Sequence, residues 1–292
     1  MIDALVHAVI AGLLALRYRI RVRGADAVAG RGTRGILFLP NHPGLIDPII
    51  VLTSLLRRFR PRALADEDQI KRPVIGTLAR RINVVPLPDV RKQGPAAREQ
   101  VSAMVRVVAD GLKRGENFVL YPSGHIYRTR FEDLRGNSAV EEILGLVPDV
   151  RIVLIRTRGL WGSSFGLANT GGAMVDVGKV LKRGLLSILA NFIFFTPRRE
   201  VTLDLHEPPD LPRSGGRHAI NAAIERFYNE DAPPNKYVPY TIWESGGARA
   251  LPQPAPSTGG GSPARGPRPT PELAYGYLAR QTGSPRLTGS DK

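Results

Sequence analysis

Apolar and polar positions along this chain fall into short apolar runs separated by stretches of helical period, the pattern of β-α repeats. Gly35 to Leu39 predicts a buried strand that ends at Pro40, in the loop Asn41-His42-Pro43-Gly44-Leu45-Ile46. Asp47 then opens an apolar segment, Ile49 to Leu56, that reads as a helix. Pro48 suits its first position and Asp47 its N-cap. Residues 71–82 read as a helix, Asn83 to Leu87 as a short strand and residues 88–92 as a polar loop. Ala96 to Arg114 carries Val101, Val105, Val108 and Leu112 on one face, with Gly115 as a stop signal, and is an amphipathic helix. Asn117 to Tyr121 predicts a strand running into Pro122-Ser123-Gly124-His125-Ile126-Tyr127-Arg128. Ser138-Ala139-Val140-Glu141 has the form of a capping box. Val150 to Ile155 predicts a core strand, Val201 to Leu205 an alternating strand, and Arg217 to Asn229 a final helix.

The two ends have their own character. Ile2 to Leu16 is apolar apart from Asp3 and His7, and Arg17, Arg19, Arg21 and Arg23 follow it. A signal peptide would carry its positive charge before the apolar run. The run is also shorter than the ~20 residues of a spanning helix. Two readings stand here: a helix in the membrane interface, its arginines on lipid phosphates, or an ordinary helix packed on the core. From Gly246 the composition shifts to Gly, Pro, Ser, Ala and Arg, which predicts a disordered tail. The expected division is a membrane-associating segment at 1–30, one domain at 31–245 and a tail at 246–292.

The 292 residues, 42% of them hydrophobic, suffice for one large α/β domain with a mixed sheet flanked by helices. There is no cysteine, which excludes disulfides, thiolate metal sites and a cysteine nucleophile. The five histidines are scattered without metal-ligand spacing, so no metal site is expected. A formal net charge of +15 favours an anionic partner: a phosphorylated ligand, an anionic membrane surface or nucleic acid. No interleaving of aromatic and basic residues supports nucleic-acid stacking.

The stretch that carries chemistry is His42 with Asp47 five positions on. In one reading His42 sits exposed at the strand's end as a general base, and Asp47 holds its other ring nitrogen. In the other, Asp47 only caps a helix beside a loop histidine. Asn41-His42-Pro43-Gly44-Leu45-Ile46-Asp47 resembles the His-x4-Asp block of the glycerophospholipid acyltransferases, the family typified by lysophosphatidate acyltransferase. Later stretches are similar to other blocks of that family, in the same order. The middle block, Asn83 to Arg91, departs from the family spacing: Asp89 stands where an arginine for the acceptor's phosphate belongs, and Arg91 follows two residues late. In the block that reads roughly Phe-Pro-Glu-Gly-Thr-Arg, this chain has Tyr121-Pro122-Ser123-Gly124-His125. The glutamate is a serine, and the resemblance implies that a negative charge is lost from the acceptor site.

That run, with Arg156 to Phe165 and Tyr237 to Glu244, is similar to the acyltransferase part of bifunctional acyltransferase/acyl-carrier-protein synthetases. The resemblance covers roughly residues 15–245. The ligase half of those proteins has no counterpart among these 292 residues, which implies that a separate protein activates the acyl group. The implied activity is acyl transfer from acyl-CoA or acyl-carrier protein to the hydroxyl of a lysophospholipid, as in 1-acylglycerol-3-phosphate O-acyltransferases, at the cytoplasmic face of the membrane. No cofactor is implied beyond the thioester co-substrate. His42 would be the base and Asp47 its partner, with Ser123 and Gly124 shaping the acceptor site. Arg91, Arg128, Arg156 and Arg158 are candidate phosphate ligands. Candidate walls for the acyl chain are the N-terminal run, Leu160-Trp161 and Leu185 to Phe195. Two other readings remain: a non-phospholipid alcohol or amine acceptor, which the missing glutamate suggests, and a catalytically degenerate basic membrane-binding protein.

Overall fold

Residues 2–66, 85–87, 95–170, 173, 175–232 and 234–254 are described by the structure, a computed structural model. The expected helix at 71–82 and the loop carrying Arg91 lie outside them. The chain runs α1 (Ile2–Arg17), β1 (Tyr18–Arg23), α2 (Ala25–Gly30), β2 (Ile36–Pro40), α3 (Asp47–Phe59), β3 (Arg62–Asp66) and β4 (Val85–Leu87). There follow α4 (Pro95–Lys113), β5 (Phe118–Val119), α5 (Ala139–Leu146), β6 (Arg151–Arg158), α6 (Val177–Ala190), β7 (Arg199–His206), α7 (Gly216–Asn229), β8 (Lys236–Tyr237) and β9 (Arg249–Ala250).

Seven strands form one mixed sheet in the order β1-β7-β6-β2-β5-β3-β4. All neighbours are parallel except β6 and β7. Strand periodicity sends alternate side chains to opposite faces, and β2 feeds both. Leu37 and Leu39 join a core with Val105 and Val108 of α4, Ile143 of α5 and Ile224 of α7. Ile36 and Phe38 join a second core with Ile50, Val51 and Leu55 of α3 and Val201 and Leu203 of β7. Helices thus cover both faces. A strand buried on both sides reads as an unbroken apolar run, which is why Gly35 to Leu39 shows no alternation.

From β2 the chain passes through α3 to β3 on one side of the sheet, whereas β6 lies on the other side of β2. The carboxyl ends of β2, β5 and β6 therefore open onto one crevice, where α/β sheets place their sites.

Three boundaries differ from the sequence reading. Tyr18 to Arg23 is an edge strand paired with β7, not part of a separate membrane segment. Arg21 there pairs with Glu200 at 3.1 Å and Arg23 with Asp204 at 3.8 Å. The alternation Tyr-Arg-Ile-Arg-Val-Arg has strand period, and the row of arginines masked it. Residues 246–254, assigned to the tail, instead hold β9 against β8. Leu251 N donates to Asn235 O at 2.7 Å and Trp161 Nε1 to Gln253 Oε1 at 3.0 Å. The rest of the expected tail lies outside the described residues. At the start of α5 there is no capping box. Ser138 is the N-cap residue, but its hydroxyl donates to Glu142 Oε1 at 2.6 Å and accepts from no backbone amide of the first turn.

Helix α1 has two apolar faces. Leu14 is buried, and His7 Nε2 donates to Thr53 O of α3 at 2.9 Å, whereas Leu5, Val9 and Leu13 are exposed. Among the described residues no helix is long and apolar enough to cross a membrane.

Candidate active site

Strand β2 ends at Pro40, and the loop after it is tied down on every side. Asn41 is buried and extends the β2–β6 ladder by one side chain: its Oδ1 accepts from Thr157 N at 2.7 Å, and its Nδ2 donates to Thr157 O at 3.2 Å. Leu45 N donates to Phe165 O at 2.9 Å. Gly44 lies so close to this second loop that a Cβ there would stand 2.9 Å from Phe165 O. Only glycine fits such an approach. Tyr228 OH of α7 donates to Leu39 O at 2.7 Å.

These restraints bring His42 and Asp47 together. His42 Nδ1 donates to Asp47 Oδ2 at 2.7 Å. The Asp47 side chain has no exposed surface, and the His42 side chain keeps 15% of its own. Asp47 Oδ1 accepts from the hydroxyl of Tyr121, at the end of β5. Both carboxylate oxygens are thereby engaged. Asp47 is the first residue of α3 rather than its cap: Ile46 holds the N-cap position, and no side-chain cap bond forms. Of the two readings of Asp47, the geometry selects the His–Asp pair. Burial pushes the Asp47 carboxyl up, opposed by the His42 ring and by hydrogen bonds from His42 and Tyr121. Burial, then the Asp47 carboxylate, push the Tyr121 hydroxyl well above its ordinary range, so it is a permanent donor. The Tyr121 and His42 rings lie 4.5 Å apart. Fixed at Nδ1, the imidazole presents Nε2 as its reactive nitrogen.

The residue that sequence reasoning missed is Glu132. Its Oε2 accepts from His42 N at 2.7 Å, and the Ser123 hydroxyl stands within hydrogen-bonding reach of it while also donating to His125 O at 3.0 Å. Glu132 is buried and its Oε1 has no partner among the described residues. Burial pushes its carboxyl up to about 7, opposed by the bond from the His42 amide. Glu132, nine residues beyond Ser123, thus sets a buried carboxyl group against the His42 loop. Its own placement is fixed by Asn229 of α7, whose Oδ1 accepts from Glu132 N at 2.7 Å and whose Nδ2 donates to Glu132 O at 2.9 Å.

The remaining candidates are spread unevenly. Gly124 adopts φ +66°, as the turn after Tyr121 requires, and its N–H donates to Tyr121 O at 3.1 Å. His125 Nδ1 donates to Ser123 O at 2.7 Å, and burial pushes the imidazole below its ordinary value, so it braces the turn as a neutral ring. Tyr127 N donates to His42 O at 3.2 Å, and Arg128 beyond it is exposed. Arg156 and Arg158 are committed to α7 and its end. Arg156 Nη1 donates to Glu230 Oε2 at 2.8 Å, and Arg158 donates to the carbonyls of Glu230 and Asp231. Neither guanidinium is held open for a phosphate. Leu160 and Trp161 are fully buried, so they belong to the core rather than to an acyl-chain surface. Among the described residues no group of acidic or histidine side chains could hold a metal ion.

The arrangement is that of a histidine base oriented by a buried carboxylate, at the mouth of an α/β sheet, on a loop held by a second carboxylate. Residues 19–168 match the family model described as Acyltransferase. That range contains His42, Asp47, Tyr121, Ser123 and Glu132. The chain is similar to the crystal structure of the 1-acyl-sn-glycerophosphate (LPA) acyltransferase PlsC from Thermotoga maritima. The identity is 16%, the likeness covers 74% of this chain and 71% of that one, and the TM-score is 0.49. No curated protein matches the chain.

Proposed function

The chain belongs to the acyltransferase family, and from that premise we propose that it transfers a fatty acyl group from an acyl-CoA or acyl-carrier-protein thioester to the free hydroxyl of a lysophospholipid. The observation that carries the reading is the buried Asp47 carboxylate, one oxygen on His42 Nδ1 and the other on Tyr121. With Nδ1 so held, His42 Nε2 takes the acceptor's hydroxyl proton as its oxygen attacks the thioester carbonyl. The imidazolium that forms is stabilised by Asp47. Collapse of the tetrahedral intermediate expels the thiolate, which recovers that proton and leaves as free thiol. The ester bond forms, the thioester bond breaks, and His42 returns to its neutral state. Direct transfer needs no enzyme nucleophile, and the chain has no cysteine to supply one.

The acceptor end of the site would be shaped by Ser123 and Gly124, with the exposed Arg128 for the phosphate. The work would be done at the cytoplasmic face of an anionic membrane by a peripheral or monotopic protein, with a separate ligase or acyl-carrier protein supplying the acyl group. A non-phospholipid alcohol or amine acceptor is the second reading, favoured by Ser123 standing where the family block has glutamate. The test is an acceptor panel with one acyl-CoA: 1-acylglycerol-3-phosphate, 2-acyl lysophospholipids, and long-chain alcohols and amines, with products separated by chromatography. Diacylated phospholipid from one lysophospholipid class is expected. Acylation of amines or simple alcohols alone would overturn the acceptor assignment.

A further inference from the structure

After α6 the chain makes a turn that is costly on two counts. Phe192, Phe194 and Phe195 are 69%, 76% and 63% exposed. Phe192 and Ile193 also hold φ of +49° and +69°, the left-handed region that a β-branched residue avoids. Such strain persists only where surrounding structure over-determines it. Here the determinant is Asn191, fully buried at the base of the turn. Its Nδ2 donates to Ser187 O and, at 2.8 Å, to Tyr240 O, while its Oδ1 accepts from Ile242 N at 2.8 Å. Ile193 N closes back on Ile188 O at 2.8 Å. The result is a rigid knuckle that drives four consecutive apolar side chains outward.

Its surroundings match. Leu181, Leu185 and Leu189 form an exposed stripe one turn apart along α6, and Trp243, 70% exposed, donates from Nε1 to Ala190 O at 3.3 Å. Soluble proteins rarely leave a contiguous patch of this kind uncovered. Cations stand at its margin. Arg19 and Arg198 line a cavity of about 370 Å³ with Phe194 and Phe195, where Glu200 is offset by Arg19 and Arg21. Arg17 and Arg183 both lie 4.6 Å from the Tyr240 ring at the knuckle's base.

We infer that the Phe192–Phe195 knuckle, with the leucine stripe of α6 and Trp243, inserts into the interface of a lipid bilayer, and that Arg19 and Arg198 take headgroup phosphates. This rests on the membrane location in the proposed function and assigns it to the turn that follows α6. The occupant is a bilayer rather than a protein because the aromatic tip and the cationic rim together match acyl chains lying beneath anionic headgroups. Indole at the boundary is the placement that Trp favours.

The chain's two tryptophans make the test direct: Trp161 is 1% exposed, so changes in emission on adding lipid report Trp243. The full chain is mixed with vesicles of phosphatidylcholine, alone or with phosphatidylglycerol, and binding is read by co-sedimentation and by quenching with brominated acyl chains. Trp243 emission is expected to shift to the blue and be quenched. The double variant Phe194→Ser/Phe195→Ser should bind both vesicle types at least about tenfold more weakly. Arg19→Gln/Arg198→Gln should lose roughly tenfold or more on the anionic vesicles and little on the neutral ones. All four side chains are exposed, and melting curves matching the parent's will confirm folding. Failure of the parent to bind, an unshifted Trp243, or Phe variants that bind like the parent would each overturn the inference. So would a lipid-free dimer that the Phe variants dissociate, since the face would then belong to a second copy. No readout needs turnover, so acyl transfer and membrane insertion fail or stand independently.

Discussion

Glu132 offers a test of the site that separates its hydrogen bonds from its charge. The carboxyl is buried and raised from 4.5 to about 7, with burial as the cause. The folded value lies above the unfolded one, so the fold favours the neutral acid. Its contribution to stability is fully present below about pH 4.5 and is lost as pH rises to about 7 and beyond. At about 1.4 kcal/mol per pH unit, the displacement amounts to ~3 kcal/mol of stability forgone when the site is ionised. Glu132→Gln keeps an acceptor for His42 N and removes that titration. Urea unfolding of parent and variant at pH 4.5 and pH 8 should give a stability difference that grows by ~3 kcal/mol in the variant's favour across that range. Acyl transfer by Glu132→Gln should stay within about tenfold of the parent. Glu132→Ala leaves the His42 amide without its acceptor, a loss of about 1–3 kcal/mol, and should fall further. A difference that stays flat with pH, or a Gln variant as inactive as the Ala variant, would refute the reasoning: in the first case the buried charge, in the second the positioning role.

Two further outcomes follow from the same contacts. Tyr121→Phe removes the donor on Asp47 Oδ1 and leaves the ring contact with His42 intact. A hydrogen bond to a charged group is worth about 1.5–3 kcal/mol, so kcat should drop roughly tenfold to a hundredfold and the melting temperature should fall too, since a buried carboxylate oxygen loses its donor; an unaltered kcat would show that Asp47 needs no second partner. Arg199 is buried with no carboxylate partner among the described residues, its guanidinium pulled down to about 10 by burial, and it donates to the carbonyls of Gly159, Trp161, Gly162 and Lys236. Arg199→Met orphans those carbonyls and should cost about 3 kcal/mol or more in denaturant unfolding; a loss under about 1 kcal/mol would mean that other donors replace it.

What could be read from the chain was local. Gly35 to Leu39 declares a strand by its own composition, and the five-residue interval from His42 to Asp47 is short enough to be seen as a unit. Whether Asp47 caps α3 or holds His42 is not a local matter. It turns on Tyr121, 74 positions away, which occupies the second carboxylate oxygen. Glu132 was invisible for the same reason, since its meaning arises only when the segment after β5 folds back over the β2 loop, 90 positions from its partner. Arg156 and Arg158 look like phosphate ligands in isolation, but Glu230 and Asp231, just beyond α7, supply the carboxylate and carbonyls that occupy them. The arginines after α1 illustrate the opposite error, where charge drew attention from a strand period plain in the sequence.

The most direct measurement is release of free thiol from acyl-CoA, with and without lysophospholipid, by the parent chain and by His42→Ala. The protein contains no cysteine, so a thiol reagent reads released CoA without protein background. The account predicts acceptor-dependent release by the parent and a drop of at least about a thousandfold in a folded His42→Ala variant, as expected when the base is removed. Full activity in that variant would contradict the assignment of His42 as the base.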